Sequence, residues 1–187
     1  LLVTRLRQKW PQVRIVFRGD SGFCRQRIIN YCERAAVHYI IGLARNTRLE
    51  QITQFLELSM KDEYQRSGVK QREVGEFMYA AQSWARERRV ITRLEYGEQG
   101  TNPRYVVTNL SGEAKALYDD LYCQRGEAEN RIKEAQVGLF ATRTSCHVFA
   151  SNQLRVLLAA LAYVLIERLR TLALQGTELA NAQIDTL

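Results

Sequence analysis

Apolar residues follow two different spacings along this chain, and the points where the spacing changes divide it into three stretches. In the first, Arg14 to Arg18 (RIVFR) is a short apolar run after Pro11 that ends at Gly19-Asp20, the pattern of a buried strand. Ser21-Gly22 then opens a helical stretch in which Cys24, Ile28, Tyr31, Cys32 and Ala35 share one apolar face. His38 to Leu43 (HYIIGL) reads as a second buried strand. Strand, helix and strand in so short a span predict a parallel βαβ unit.

The middle of the chain changes character. Asn46 to about Met60 is expected to be helical. From Glu73 to Asn109 the signals are strand-like: Val90, Thr92, Leu94 and Tyr96 alternate with Arg89, Ile91, Arg93 and Glu95. Gly97 to Pro103 (GEQGTNP) is a turn or loop, and Arg104 to Thr108 (RYVVT) another strand. An antiparallel sheet inserted between α/β elements is therefore expected. After Gly112 the helical period returns, with one long helix from about Glu113 to Phe140 and a second from about Ser151 to Leu174. The second is apolar almost all round, which predicts burial. Its most apolar run, Val156 to Ile166, is bounded by Arg155 and Glu167 and is shorter than the roughly 20 residues of a membrane span. No membrane association is expected.

Composition narrows the class. The chain has 187 residues, 46% of them hydrophobic, enough for a real core. With two prolines and eleven glycines, long disordered linkers are not expected. The net charge of +7 favours a polyanionic partner such as nucleic acid, while an anionic membrane surface or plain solubility fits the same number. Cys24, Cys32, Cys123 and Cys146 contain no CxxC pair, and His38 and His147 are the only histidines. A zinc site needs about four close thiolate or imidazole ligands, so free thiols in a reducing compartment are the simpler expectation. Cys146-His147 lacks an orienting partner for a nucleophile.

Two acids stand out by position. Asp20 follows a buried strand and precedes a helix, and open α/β sheets gather ligands beyond the carboxyl ends of their strands. Capping of the helix is the structural alternative for Asp20 or Ser21. On a helix through Glu129, the residues Tyr122, Arg125, Glu129, Lys133 and Gln136 fall within about 80° of arc. Leu121, Ala128, Ile132, Ala135 and Leu139 form an apolar stripe beside them. An ordinary Arg125–Glu129 ion pair is the structural alternative there.

Tyr122, Arg125 and Glu129 stand in the spacing Y-x-x-R-x-x-x-E, which resembles a signature of bacterial insertion-sequence transposases of the DDE type. The surrounding wording resembles one subgroup, the Transposase DDE domain group one family. Its pattern is met by FRGDSGF (17–23), GLARN (42–46), NPRYVVTNL (102–110), RGEAENRIKE (125–134), SNQLRVLLAALAYVL (151–165) and GTELA (176–180), spread over nearly the whole chain.

The resemblance implies an α/β fold with an RNase H-like catalytic core, partial here because the first strands are missing. An inserted antiparallel sheet and long C-terminal helices complete it. Residues 1–45 would carry the partial core, 46–111 the inserted, mainly β segment, and 112–187 the helices that complete the core. Asp20 would be the second catalytic acid and Glu129 the third, together holding Mg2+, with Mn2+ as a substitute. The first acid would lie upstream of Leu1, so this polypeptide alone is expected neither to cut nor to join DNA. Tyr122 and Arg125 would support Glu129 and contact DNA. Many relatives have a lysine seven residues after the glutamate; here that place is Gln136, and Lys133 lies one turn earlier on the same face. Glu127, a rival third acid, does not fit the spacing.

The implied activity is metal-dependent hydrolysis and strand transfer at transposon ends. Two divalent ions roughly 4 Å apart can activate the attacking oxygen and stabilise the leaving one. The alternative is a truncated, catalytically inactive DNA-binding remnant. The implied partners are double-stranded DNA, at transposon ends and target, and a second copy on DNA, in the bacterial cytoplasm at the nucleoid. In the inserted segment Trp84, Arg88 and Arg89 are candidates for holding end DNA, arginine for phosphates and tryptophan for stacking.

Overall fold

Strand β1 (Val16–Gly19), helix α2 (Gln26–Arg34, after a short α1, Leu2–Lys9) and strand β2 (His38–Leu43) form the expected βαβ unit, with β1 and β2 parallel. The computed structural model describes residues 2–182 and 184–186, without the side chains of Arg125, Glu127, Ala128, Asn181 and Asp185. The chain forms two compact units, Leu1–Arg125 and Gly126–Leu187.

In the first unit β2 is the organising strand. Tyr39, Ile40 and Ile41 are all inaccessible to solvent, so both faces of β2 are covered, as its unbroken apolar run requires. Helix α3 (Thr47–Ser67) follows, longer than expected; Asn46 caps its start by accepting from Leu49 N at 3.1 Å, and Gly68, at φ 68°, ends it. Strands β3 (Gln71–Tyr79), β4 (Arg88–Gly97), β5 (Gly100–Thr101) and β6 (Arg104–Thr108) come next. The antiparallel strands do not stand apart as a sheet of their own. β6 pairs with both β2 and β4, giving one sheet in the order β1-β2-β6-β4-β3, with β5 on β4. The reason lies in β2, whose second edge would otherwise leave buried backbone groups unpaired.

Alternation along the strands builds a core on each face. Tyr39, Ile41, Val90 and Val107 pack with Ile29 and Cys32 of α2 and Leu49 of α3. Ile40, Ile91 and Val106 face the other way, against Leu110 and Tyr118.

The predicted continuous helix from Glu113 to Phe140 is broken. A single turn, α4 (Ala114–Ala116), passes into a π-helical turn, Leu117–Tyr122, then a turn at Cys123–Gln124, before α5 (Arg125–Gly138) begins. Cys123 N donates to Tyr118 O at 2.9 Å, the wider i→i+5 bond of a π-turn. Counting 100° per residue from Tyr122 to Glu129 therefore fails, because the helix does not run through.

In the second unit α5 and α6 (Phe149–Leu172) are tied by a buried charge network. Arg170, with its side chain 3% exposed, pairs with Glu134 and Glu167, and Glu134 also accepts from Ile184 N at 2.9 Å. The expected burial of α6 is not met. Ala159 and Arg170 are its buried residues, while Leu157, Leu161, Leu165 and Leu172 are exposed. Its apolar surface is wider than the neighbouring segments of this unit cover. By length and composition α6 is also long and apolar enough to cross a membrane, because the apolar stretch continues beyond Val156 to Ile166.

Candidate active site

Asp20 stands where the sequence places it, just past the carboxyl end of β1. The pairing of Gly19 with Ile41 sets the next residue, Asp20, beside Gly42. Asp20 has an extended backbone and caps the 3-10 turn Ser21–Phe23, its Oδ1 accepting from Gly22 N at 2.8 Å. Capping, the structural alternative, is thus realised at one carboxylate oxygen. The side chain is half-buried.

Tyr122 is brought to the same place. Ile40 and Gly42 lie on one face of β2 by strand alternation, and Tyr122 packs against the cluster on that face. A Cβ built on Gly42 would stand 2.7 Å from the Tyr122 hydroxyl, 2.9 Å from Ser21 N and 3.2 Å from the Asp20 carbonyl carbon. Several contacts hold the π-turn here, among them Arg72 of β3 pairing with Asp119. Arg18 Nη1 donates to Leu121 O at 2.9 Å, and the Tyr118 and Tyr122 rings lie 5.5 Å apart. Arg18 and Asp20, Gly42, and Tyr122, three separate places in the chain, therefore converge at one end of the sheet. Sequence reasoning missed Gly42 as a site residue, although a glycine in a buried strand is the ordinary sign of close approach.

Glu129 and Lys133 are exposed on α5, one turn apart, with Gln136 exposed one turn further on. The expected apolar stripe beside them is not fully covered, since Ile132 is exposed. The side chains of Arg125 and of Glu127 lie outside the described residues.

The arginines expected to face DNA are placed otherwise. Arg88 is buried, its side chain 4% exposed; Nε donates to Glu33 Oε1 at 2.8 Å and Nη2 to Glu33 Oε2 at 3.1 Å. It also donates to Asn30 and to the Arg86 carbonyl and covers the Trp84 ring at 5.1 Å. Arg89 donates to Leu110 O and Gly112 O, each at 2.7 Å, and pairs with Glu76. Both guanidinium groups serve the fold, since their donors are engaged by protein acceptors. Trp84 is half-buried and meets Tyr79 edge-on at 5.7 Å.

Glu33 anchors this network. The bidentate Arg88 bond, chiefly, holds its carboxyl down at about 2 against the opposing effect of burial, with further help from Tyr39 and Arg86. The phenol of Tyr39 is pushed well above its usual range by burial and by the Glu33 carboxylate it donates to at 3.0 Å. Beside this network, and lined in part by its members Asn30, Glu33 and Arg86, an open groove of ≈ 750 Å³ runs along α2 with Gln26, Arg27 and Arg34. Arg27 and Arg34 are exposed and, seven residues apart, share one helix face.

The family description Transposase DDE domain group 1 matches residues 1–187, the whole chain. The chain belongs to this DDE transposase family. No curated protein and no solved structure matches it at a significant level. Membership makes DNA the substrate class of this transposase and transposition its context.

As part of a DDE transposase, Asp20 suits a hard divalent cation: it offers carboxylate oxygen at the mouth of a parallel strand pair, within reach of solvent. Among the described residues no three His, Cys, Asp or Glu side chains gather closely enough to hold a metal. The described side chains fit a metal only as part of a ligand set.

Proposed function

We propose that this chain serves metal-dependent DNA transposition, with hydrolytic nicking at element ends followed by attack of the freed 3′-OH on target DNA. The family match over the whole chain carries this reading. Asp20 and Glu129 would be carboxylate ligands of Mg2+, or Mn2+ in its place, on an RNase H-like core. Support for Asp20 comes from its position beyond β1 and from the convergence of Tyr122 upon it. Glu129 rests on the likeness of the Tyr122, Arg125 and Glu129 spacing to the family signature and on its exposure on α5. The bound ion would supply charge to stabilise the attacking and leaving oxygens.

In this reading residues 1–45 carry core strands with Asp20, 46–111 an insertion that extends their sheet, and 112–187 the helices with Glu129. Tyr122, Arg125 and Lys133 meet DNA near the acids. Phosphate contact elsewhere passes from Arg88 and Arg89 to Arg27 and Arg34 beside the α2 groove. Trp84 offers its remaining exposed surface for stacking. Two copies act on paired ends, and the protein works in the cytoplasm at the nucleoid.

The test is a nicking assay on duplex DNA bearing the ends of the encoding element, with the natural gene product. Mg2+-dependent nicks leaving 3′-OH, lost in Asp20→Asn and in Glu129→Gln, support the reading. Nicking indifferent to both substitutions overturns it. DNA binding with no nicking in the unaltered protein would favour an inactive DNA-binding remnant.

A further inference from the structure

We infer that Gly42 is a positioning residue for Asp20, acting through the hydroxyl of Tyr122. This rests on the reading of Asp20 as a metal ligand. Gly42 occupies a buried strand, where a β-branched residue would ordinarily be favoured. Its backbone is not left-handed, so conformational freedom does not explain the glycine. Space does: any side chain there would collide at once with the Tyr122 hydroxyl, the Ser21 amide and the Asp20 carbonyl carbon, at 2.7, 2.9 and 3.2 Å.

Two of those three neighbours are backbone of the turn that carries Asp20, and backbone yields less easily than a flexible side chain. The third, Tyr122, is held from behind. Its ring packs on Tyr118, which is 4% exposed, and Arg18 of β1 bonds the carbonyl of the preceding residue, Leu121. Tyr122 thus acts as a stop. Gly42 leaves the space into which both the Tyr122 hydroxyl and the Asp20–Ser21 turn approach. The turn in turn fixes the carboxylate, because Oδ1 is bonded to Gly22 N at 2.8 Å. A π-turn at Leu117–Tyr122 fits this role, since its extra residue shifts Tyr122 away from the place an α-helix would give it.

The test is a double-substitution cycle with Gly42→Ala, Tyr122→Phe and the pair, on the whole 187-residue chain. One readout is the amide NMR signals of Ser21 and Gly22 in metal-free protein; the other is Mn2+ affinity from water-proton relaxation. Each single substitution should move both amide signals and weaken Mn2+ binding about tenfold, the scale seen when a supporting group beside a metal ligand is removed. The pair should be no weaker than Gly42→Ala alone, because both act at one point of approach. Tyr122→Phe removes only an oxygen and so reads the effect even if Gly42→Ala unfolds the chain. Unmoved amide signals in Tyr122→Phe, or losses that simply add in the pair, overturn the inference. If the unaltered chain takes up no Mn2+, the ligand reading of Asp20 falls, and the amide signals still decide whether Gly42 and Tyr122 set the turn.

Discussion

Arg88 of β4 grips Glu33 of α2 with two hydrogen bonds, 2.8 Å from Nε and 3.1 Å from Nη2, clamping the βαβ helix to the strand that extends the sheet. The pair is nearly dry, since the two side chains are 4% and 16% exposed. Removing one partner strands the other's charge. Arg88→Ala should therefore destabilise the first unit by about 3 kcal/mol, measured by urea unfolding. Arg86, also on Glu33, softens the loss, so Arg88→Ala combined with Arg86→Ala should cost more than Arg88→Ala alone.

The same pair sets an acid limit. Glu33 has its carboxyl lowered from 4.5 to about 2 in the folded chain. A lowered folded value contributes stability that is complete above the unfolded value and is lost as pH falls through the folded one. The window is therefore pH 4.5 down to about 2. Unfolding free energy should fall across it by an amount on the order of 2 kcal/mol from this group, discounted for its partial solvent access. Glu33→Gln should flatten that part of the profile and lower stability at neutral pH.

Asp20 has two separable jobs. Asn can still accept from Gly22 N, so Asp20→Asn should leave thermal stability nearly unchanged, while Asp20→Ala should cost about 1 kcal/mol as a lost cap. Both should abolish Mn2+ uptake. Equal metal affinity in Asp20→Asn and the unaltered chain would leave Asp20 as a cap alone.

DNA binding divides the arginines. Arg27→Glu with Arg34→Glu should weaken duplex binding and reduce the slope of log affinity against log salt by about 2, one unit for each phosphate no longer neutralised. Arg89→Ala should leave that slope unchanged, because its donors are occupied by Glu76, Leu110 and Gly112. Filter binding from low to moderate salt separates the two outcomes.

In the second unit Arg170 joins Glu134, Glu167 and the Ala182 carbonyl. Arg170→Met keeps the apolar stem and removes the charge. It should release the tail around Ile184, seen as faster amide exchange at Ile184, whose N–H bonds Glu134.

Strands β1 and β2, the end of β1 at Gly19 and the cap at Asp20 are legible locally, because each follows from a short apolar run meeting turn residues. The break at Cys123–Gln124 is not, because no proline marks it, Tyr-Cys-Gln-Arg continues the helical pattern, and the nearby Gly126 is tolerated inside a helix. Arg88 reads in the sequence as one of several surface arginines. Its partner Glu33 lies 55 residues away, and no local pattern reports a pairing made by the fold. All-round apolarity in α6 suggests burial, yet the same composition describes an exposed helix with a wide apolar face. Gly42 in a buried strand signals a close approach, but not by what, because its neighbours, Asp20 and Tyr122, come from opposite ends of the first unit.

Whether Asp20 and Glu129 hold one metal can be read directly from iron-mediated cleavage of the chain. Fe2+ in place of Mg2+, with ascorbate and peroxide, generates hydroxyl radicals that cut the backbone around the bound ion. Cuts are expected at two separate places, around Asp20 and around Glu129, suppressed together by excess Mg2+ and by Asp20→Asn. Cuts at one place alone, or cuts that survive Asp20→Asn, would mean that the two carboxylates do not share an ion.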